Sequence, residues 1–170
     1  MYYATLENRI DAFYRQHHVL HPTDISLYLW DSVVQIDVIY RPGQTDAITL
    51  CGKRHVFIDR RQPLADRRAQ LAHEIGHALL HTGNQLVLDN AWRLKQEWQA
   101  NQFAYYALVP TYLLLPYITP YEDNRCRLID ELAEVFCVPL PFMAARLDLL
   151  QERLEAEHSE RVAETASRYR

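Results

Sequence analysis

The pattern of apolar and polar positions divides the chain into helices and strands. Apolar residues recur every three to four positions after Leu6, after Pro63 and after Asn90, which predicts amphipathic helices. Between the first two of these helices lie short runs rich in valine, isoleucine and aromatic residues, which favour strands. The strand-like runs, separated by Pro42-Gly43 and Gly52-Lys53, are residues 33–40, 47–50 and 55–59.

This order of patterns predicts an α+β fold with a small antiparallel sheet. The helix that begins at Pro63 and is closed by Gly83-Asn84 follows the sheet. The later helices are expected at residues 91–108, 128–136 and 138–150, with a charged helical end at 151–170. We therefore expect a core domain over residues 1–120 and a C-terminal helical subdomain over residues 121–170.

The helix after Pro63 carries the sequence His-Glu-x-x-His at residues 73–77. At about 100° of rotation per residue, His73 and His77 lie on one face, with Glu74 at its edge. Two neutral imidazoles can bind one zinc ion while the carboxylate reaches the water that the ion holds. The opposite stripe is apolar and is expected to face the core. It consists of Leu71, Ile75, Ala78 and Leu79.

Glu97 is the candidate for a third ligand, 20 residues beyond His77 on the next predicted helix. A carboxylate oxygen must come to about 2.0–2.2 Å from zinc, so the two helices have to approach closely. Asn101, one turn beyond Glu97, is placed to hydrogen-bond a ligand imidazole and fix its tautomer. The small residues that would permit the approach are Ala72 and Gly76 on one helix and Ala100 and Ala104 on the other.

Two other residues compete for the role of third ligand. Asp89 precedes the second helix, and His81 continues the histidine stripe but lies about 12 Å from His73, at 1.5 Å of rise per residue. The three-histidine class of zinc peptidases continues as His-x-x-Gly-x-x-His, and here Leu80 and Gly83 occupy those places. The sequence therefore favours a glutamate ligand.

Composition narrows the classes of function. A chain of 170 residues with a net charge of −4 fits one domain with a small appendage and has no general attraction for nucleic acid. Its three cysteines, Cys51, Cys126 and Cys137, are widely spaced, which predicts reduced thiols in a cytosolic protein. The N-terminal segment is too charged for a signal peptide, and the most apolar run, 105–118, is too short to span a bilayer. We expect a soluble cytoplasmic protein without a membrane partner.

Two motifs of the chain resemble those of the ImmA/IrrE family of metallopeptidases. Residues 68–81 read Arg-x-x-Leu-Ala-His-Glu-Ile-Gly-His-x-Leu-Leu-His. Residues 97–110 read Glu-x-x-Ala-Asn-x-Phe-Ala and end at a proline, with residues 106–109 in place of the family's leucine-rich run. The similarity extends loosely over most of the chain but does not include its two ends.

The resemblance implies a zincin-like core of the gluzincin type, in which His73, His77 and Glu97 bind zinc (Zn2+) and Glu74 acts as the general base. It implies that Asn101 supports a ligand histidine. It also implies the family role, which is that of a cytosolic bacterial or phage endopeptidase. Such an enzyme cleaves a helix-turn-helix transcriptional repressor and so derepresses a mobile element, a prophage or stress genes.

The C-terminal helices resemble a helix-turn-helix unit, although Cys137 takes the place of the common turn glycine. Few positive side chains lie there, so protein contact or plain packing is favoured over DNA binding. The oxyanion donor stays open between Tyr105, Tyr106 and a later histidine. The alternative function is a non-proteolytic, zinc-containing regulatory or partner-binding protein. Glu74 argues against it, because a structural zinc site has no use for a base.

Overall fold

The computed structural model describes residues 2–81, 90–118 and 124–168. Helix α1 (Tyr2–Gln16) is followed by two short 3-10 helices, Pro22–Asp24 and Leu27–Ser32. The strands are β1 (Ile36–Arg41), β2 (Asp46–Leu50) and β3 (Lys53–Asp59). The later helices are α2 (Leu64–Leu80), α3 (Asn90–Leu108), α4 (Thr111–Ile118), α5 (Arg125–Phe136) and α6 (Leu140–Arg168). This order confirms the α+β fold class, with a small sheet and a C-terminal helical region.

The sheet is mixed, so the expectation of an antiparallel sheet is correct only for β2 and β3. These two strands form a hairpin through Cys51 and Gly52, whose φ angles are both positive, at 51° and 78°. Positive φ at both turn residues matches the right-handed twist of the strands. Strand β1 pairs in parallel with the other side of β3. The pairing is parallel because the loop 42–45 carries the chain past the end of β3, where the Asp59 amide donates to Thr45 Oγ1.

An aromatic cluster joins α1 to α3 and holds α3 in place. The Tyr14 hydroxyl donates to the Ala107 carbonyl at 2.8 Å and accepts from Trp30 Nε1 at 3.0 Å. The Trp30 ring stacks on Phe13, with centroids 4.1 Å apart, and meets Phe103 edge-on at 5.0 Å. The polar ends of the buried tyrosine and tryptophan are therefore both satisfied inside the core.

Helices α5 and α6 meet at a tight turn. Cys137 adopts the left-handed conformation, with φ 51° and ψ 59°, and its amide donates to the carbonyls of Ala133 and Glu134. A left-handed residue at this position is the usual way to end a helix, and glycine is its commonest occupant. Helix α6 then runs without a break through the predicted helix 138–150 and most of the predicted charged end.

The core is continuous across the described ranges, because α5 and α6 add side chains to the same buried cluster as α1, α3 and α4. The predicted boundary near residue 120 falls in 119–123, outside the described residues, and the division into domains 1–120 and 121–170 stays a prediction. The predicted helix end at Gly83-Asn84 also lies outside them, and α2 ends at Leu80. No helix in the described part of the chain is long and apolar enough to cross a membrane.

Candidate metal centre

Helix α2 presents two histidines one turn apart. Pro63 directly precedes the helix, and Leu71 and Ile75 of its apolar stripe are buried, so the face that carries the histidines is fixed. The side chain of His73 is 23% exposed and that of His77 only 4%. Their Nε2 atoms lie 3.0 Å apart, so both rings are directed at one point.

Glu97 of α3 reaches the same point. Its Oε2 lies 3.3 Å from His73 Nε2, and its Oε1 lies 3.3 Å from His77 Nε2. Ligand atoms about 2.0–2.1 Å from a tetrahedral zinc ion lie roughly 3.3–3.4 Å from one another, which agrees with these distances. Within the described residues, these three side chains form the group close enough together to share a metal ion. The structure thus brings the predicted ligands together, and their roles as ligands stay a prediction.

The His73 ring directs an electron pair at this point, and the His77 ring is neutral. His73 Nδ1 donates to Asn101 Oδ1 at 2.8 Å, so in the neutral ring the lone pair is on Nε2. Burial, followed by the charge of His73, lowers the pKa of His77 to about 4, so this ring is neutral at pH 7. Neutral imidazole is the form that binds metals. Asn101 therefore lies where the sequence predicts it, beside a candidate ligand.

The two helices meet most closely at Gly76. A Cβ atom at this position would lie 2.9 Å from the carbonyl oxygen of Ala100, 3.0 Å from its Cα and 3.1 Å from the Cβ of Phe103. Contacts this short with backbone atoms are not tolerated without a shift of the helix, so a side chain is excluded here. The prediction that missing side-chain volume lets a second backbone approach is confirmed at Gly76 and Ala100.

Of the two competing ligands, His81 is not part of the group of three found among the described residues. His81 Nε2 donates to the backbone carbonyl of Gln96 at 3.2 Å and therefore carries a hydrogen. Burial lowers the pKa of His81, so the ring is neutral and links the end of α2 to α3. Asp89 lies outside the described residues.

Glu74 lies at the edge of the histidine face and has a partner that the sequence motifs do not include. Its Oε2 is 2.5 Å from Arg54 Nη2, and the two side chains are 16% and 19% exposed. The feature of the sequence that could have identified Arg54 as a residue of the site is its position on β3. Because side chains alternate along a strand, Arg54 shares a face with Val56 and Ile58, which are fully buried.

The two tyrosines considered as oxyanion donors both pack against α6. Tyr106 is 2% exposed and has the guanidinium of Arg146 over its ring at 4.9 Å. The Tyr105 ring packs against Phe142, with centroids 4.7 Å apart. These contacts favour neither tyrosine as a donor at the metal centre.

Sequence comparison relates the chain to known proteins. The profile of a peptidase family, described as the IrrE N-terminal-like domain, matches residues 32–148, which include the sheet and the whole metal centre. The chain is similar to the phage-like element PBSX protein XkdA of Bacillus subtilis (strain 168), with 27% identity over 152 residues that cover 89% of this chain and 76% of that protein. It is also similar to the uncharacterized protein YqaB of the same strain, with 25% identity over 149 residues that cover 88% of this chain and 86% of that protein.

Proposed function

Since this chain belongs to the IrrE N-terminal-like domain family of peptidases, we propose that it is a zinc-dependent endopeptidase. The observation that carries the proposal is the convergence of His73, His77 and Glu97, and Glu74 directly follows His73 on the same helix. Two imidazoles and one carboxylate are a donor set of catalytic zinc sites, which leave the fourth position for water or substrate. Glu97 is 53% exposed, so a peptide can reach the centre from solvent.

The residues of the candidate metal centre have separate roles in the proposed reaction. When bound, zinc would lower the pKa of a coordinated water toward about 7 and polarise the peptide carbonyl. Glu74 takes the proton of the attacking water and delivers it to the leaving amine. Asn101 keeps the His73 ring oriented, with its Nε2 lone pair toward His77 Nε2 and Glu97. Because burial lowers the pKa of His77 to about 4, its ring is neutral at pH 7 and would hold a metal ion without first releasing a proton.

We propose a helix-turn-helix repressor as the substrate, and derepression of a mobile element, a prophage or stress genes as the outcome. The resemblance of the two motifs to the ImmA/IrrE family supports this proposal. The relative XkdA is described as a protein of a phage-like element, which agrees with a mobile-element setting. The three cysteines are free thiols, which supports activity in the reducing cytoplasm.

Cleavage of a repressor encoded beside the gene tests the proposal. The zinc-loaded protein is incubated with that repressor, and we expect one discrete cut, located by mass spectrometry. Glu74→Gln should abolish the cut while the protein keeps one zinc per chain. Glu134→Gln makes the same change at an exposed position on α5 and should cleave as the wild type does. A Glu74→Gln protein that still cleaves would contradict the peptidase proposal and favour the non-proteolytic regulator.

A further inference from the structure

Arg54 forms an ion pair with the proposed base, Glu74. Its Nη2 donates to Glu74 Oε2 at 2.5 Å, across an interval of 20 residues in sequence. Both side chains are mostly buried, so the pair is less screened than one on the open surface. The guanidinium therefore lies beside the metal centre.

The position of Arg54 is set by the sheet. In β3, Arg54 pairs with Ile36 of β1 on one side and with Thr49 of β2 on the other, so its backbone is held from both sides. It lies on the same face as Val56 and Ile58, which are buried in the core between β3 and α2. Arg54 continues this face beyond the apolar part of the interface, where its side chain reaches the metal-binding motif.

The contact leaves one oxygen of Glu74 for chemistry. A carboxylate on the end of a glutamate rotates easily about its last bond, because this torsion has broad minima. A charge-assisted hydrogen bond to Oε2 selects one orientation and leaves Oε1 to accept a proton.

We propose that Arg54 is a positioning residue, which holds the Glu74 carboxylate in the orientation that lets Oε1 act as the base. The proposal rests on the proposed function, because it assigns Arg54 a part in that same reaction. It distinguishes Arg54 from a substrate-binding arginine, which would contact the peptide directly. It also distinguishes Arg54 from a purely structural partner of Glu74.

The test combines a binding probe with turnover. Acetohydroxamic acid binds metal centres and gives its hydroxyl proton to a neighbouring carboxylate, so its affinity for the zinc-loaded protein reports the orientation of Glu74. Calorimetry is carried out on the wild type, Arg54→Met, Glu74→Gln and the double variant. We expect Arg54→Met to weaken binding roughly 10-fold in the wild-type background and to change nothing in the Glu74→Gln background. An equal loss in both backgrounds, or no loss in either, would overturn the proposal.

Turnover of the cleaved repressor gives the second readout. We expect Arg54→Met to lower kcat by roughly 10–100-fold with KM unchanged, and Arg54→Lys to restore much of this loss. Lys53→Met is the matched control, because Lys53 is the adjacent residue, faces the other side of β3 and pairs with Asp37 at 2.7 Å. It should leave kcat unchanged. A rise in KM alone would show that Arg54 binds substrate, and loss of zinc from Arg54→Met would show a structural role.

The two proposals fail in different ways. A wild-type protein that takes up no zinc, or cleaves nothing when zinc is bound, overturns the proposed function and this inference with it. A wild-type protein that binds zinc and cleaves, while Arg54→Met behaves like Lys53→Met, overturns the role of Arg54 alone.

Discussion

Two regions of the molecule bring ionisable side chains together, the candidate metal centre between α2 and α3 and a mostly buried polar cluster between α1, α4 and α6. The polar cluster consists of Glu7, Thr111, Arg146 and Arg153. In this cluster, positively charged arginine side chains donate hydrogen bonds to negative or neutral oxygen atoms. In the metal centre, the three groups that meet are all electron-pair donors, two imidazoles and one carboxylate.

The groups of the polar cluster pair mainly with one another, although Glu7 Oε2 has no hydrogen-bond partner within the described residues. Arg146, which is 1% exposed, donates from Nε to the Val109 carbonyl at 3.0 Å and from Nη2 to Thr111 Oγ1 at 2.5 Å. The Thr111 hydroxyl donates to Glu7, whose carboxylate also pairs with Arg153 at 2.5 Å. Such an arrangement stabilises the contact between helices and needs no ligand.

The candidate metal centre differs in that its three groups are potential ligands of one cation. A divalent ion placed between these atoms, which lie 3.0–3.3 Å apart, would bind all three groups at once. The comparison teaches that burial of charge alone does not identify a functional site. What identifies it is whether the groups that meet complement each other.

The largest expected effect comes from breaking the polar cluster. Arg146→Met leaves the Glu7 carboxylate buried without one of its positive neighbours, and we expect the free energy of unfolding to fall by about 3–5 kcal/mol. Arg125→Met is the matched control, because its ion pair with Asp148 is exposed and should contribute at most about 1 kcal/mol. Urea unfolding of both proteins gives the comparison. An equal loss in the two variants would contradict the assignment of Arg146 to a buried structural network.

A smaller effect is expected from Asn101→Ala at the metal centre. The His73 ring loses the partner of its Nδ1 hydrogen, so zinc affinity should fall by roughly 10–100-fold with little change in stability. Competition with a chelator measures the affinity. Gln99→Ala on the same helix is the control and should bind zinc as the wild type does. Unchanged affinity in Asn101→Ala would show that the ring orientation is set elsewhere.

Gly76→Ala tests the close approach of α2 and α3. Alanine favours a helix by about 1 kcal/mol over glycine, but the added Cβ meets backbone atoms of α3 that cannot rotate away. We expect a net loss of roughly 1–2 kcal/mol in the unfolding of the metal-free protein. Zinc binding should weaken as well, since Glu97 moves with α3. A more stable variant with full zinc affinity would show that the helices do not need this approach.

The smallest expected effect is a change in the pH dependence of stability. Burial, followed by the charge of Glu7, raises the pKa of Asp11 from 3.8 to about 6. The folded protein therefore binds this proton more tightly than the unfolded chain, and stability falls as the pH rises from about 4 to about 6. Asp11→Asn should remove this fall and be more stable than the wild type at pH 7. Parallel pH profiles of the two proteins would contradict the raised pKa.

The local parts of this account could be predicted from the sequence. The spacing of His73 and His77 and the face of Glu97 follow from helix periodicity, and Gly76 marks a close approach because glycine is costly inside a helix. The order of the strands could not be predicted. The residues that follow β1 are typical of a hairpin turn, which would pair β1 with β2 in antiparallel fashion. In the structure β1 instead joins β3, on the side away from β2, and so runs parallel to its neighbour.

The sequence also could not predict which polar side chains pair with one another. Periodicity indicates which face of an element is buried, and it does not identify the partner on another element. Glu7 and Thr111 lie 104 residues apart in sequence, and Arg54 reaches Glu74 from a strand whose pattern indicates only a buried face. Both contacts follow from the packing of elements and not from any motif.

The central claim is that His73, His77 and Glu97 bind one zinc ion. Diffraction from zinc-loaded crystals at the zinc absorption edge tests it most directly. The account predicts a single strong anomalous peak per chain, about 2.0–2.2 Å from His73 Nε2, His77 Nε2 and a carboxylate oxygen of Glu97. A peak at other residues, or the absence of any peak from crystals with zinc in excess, would contradict it.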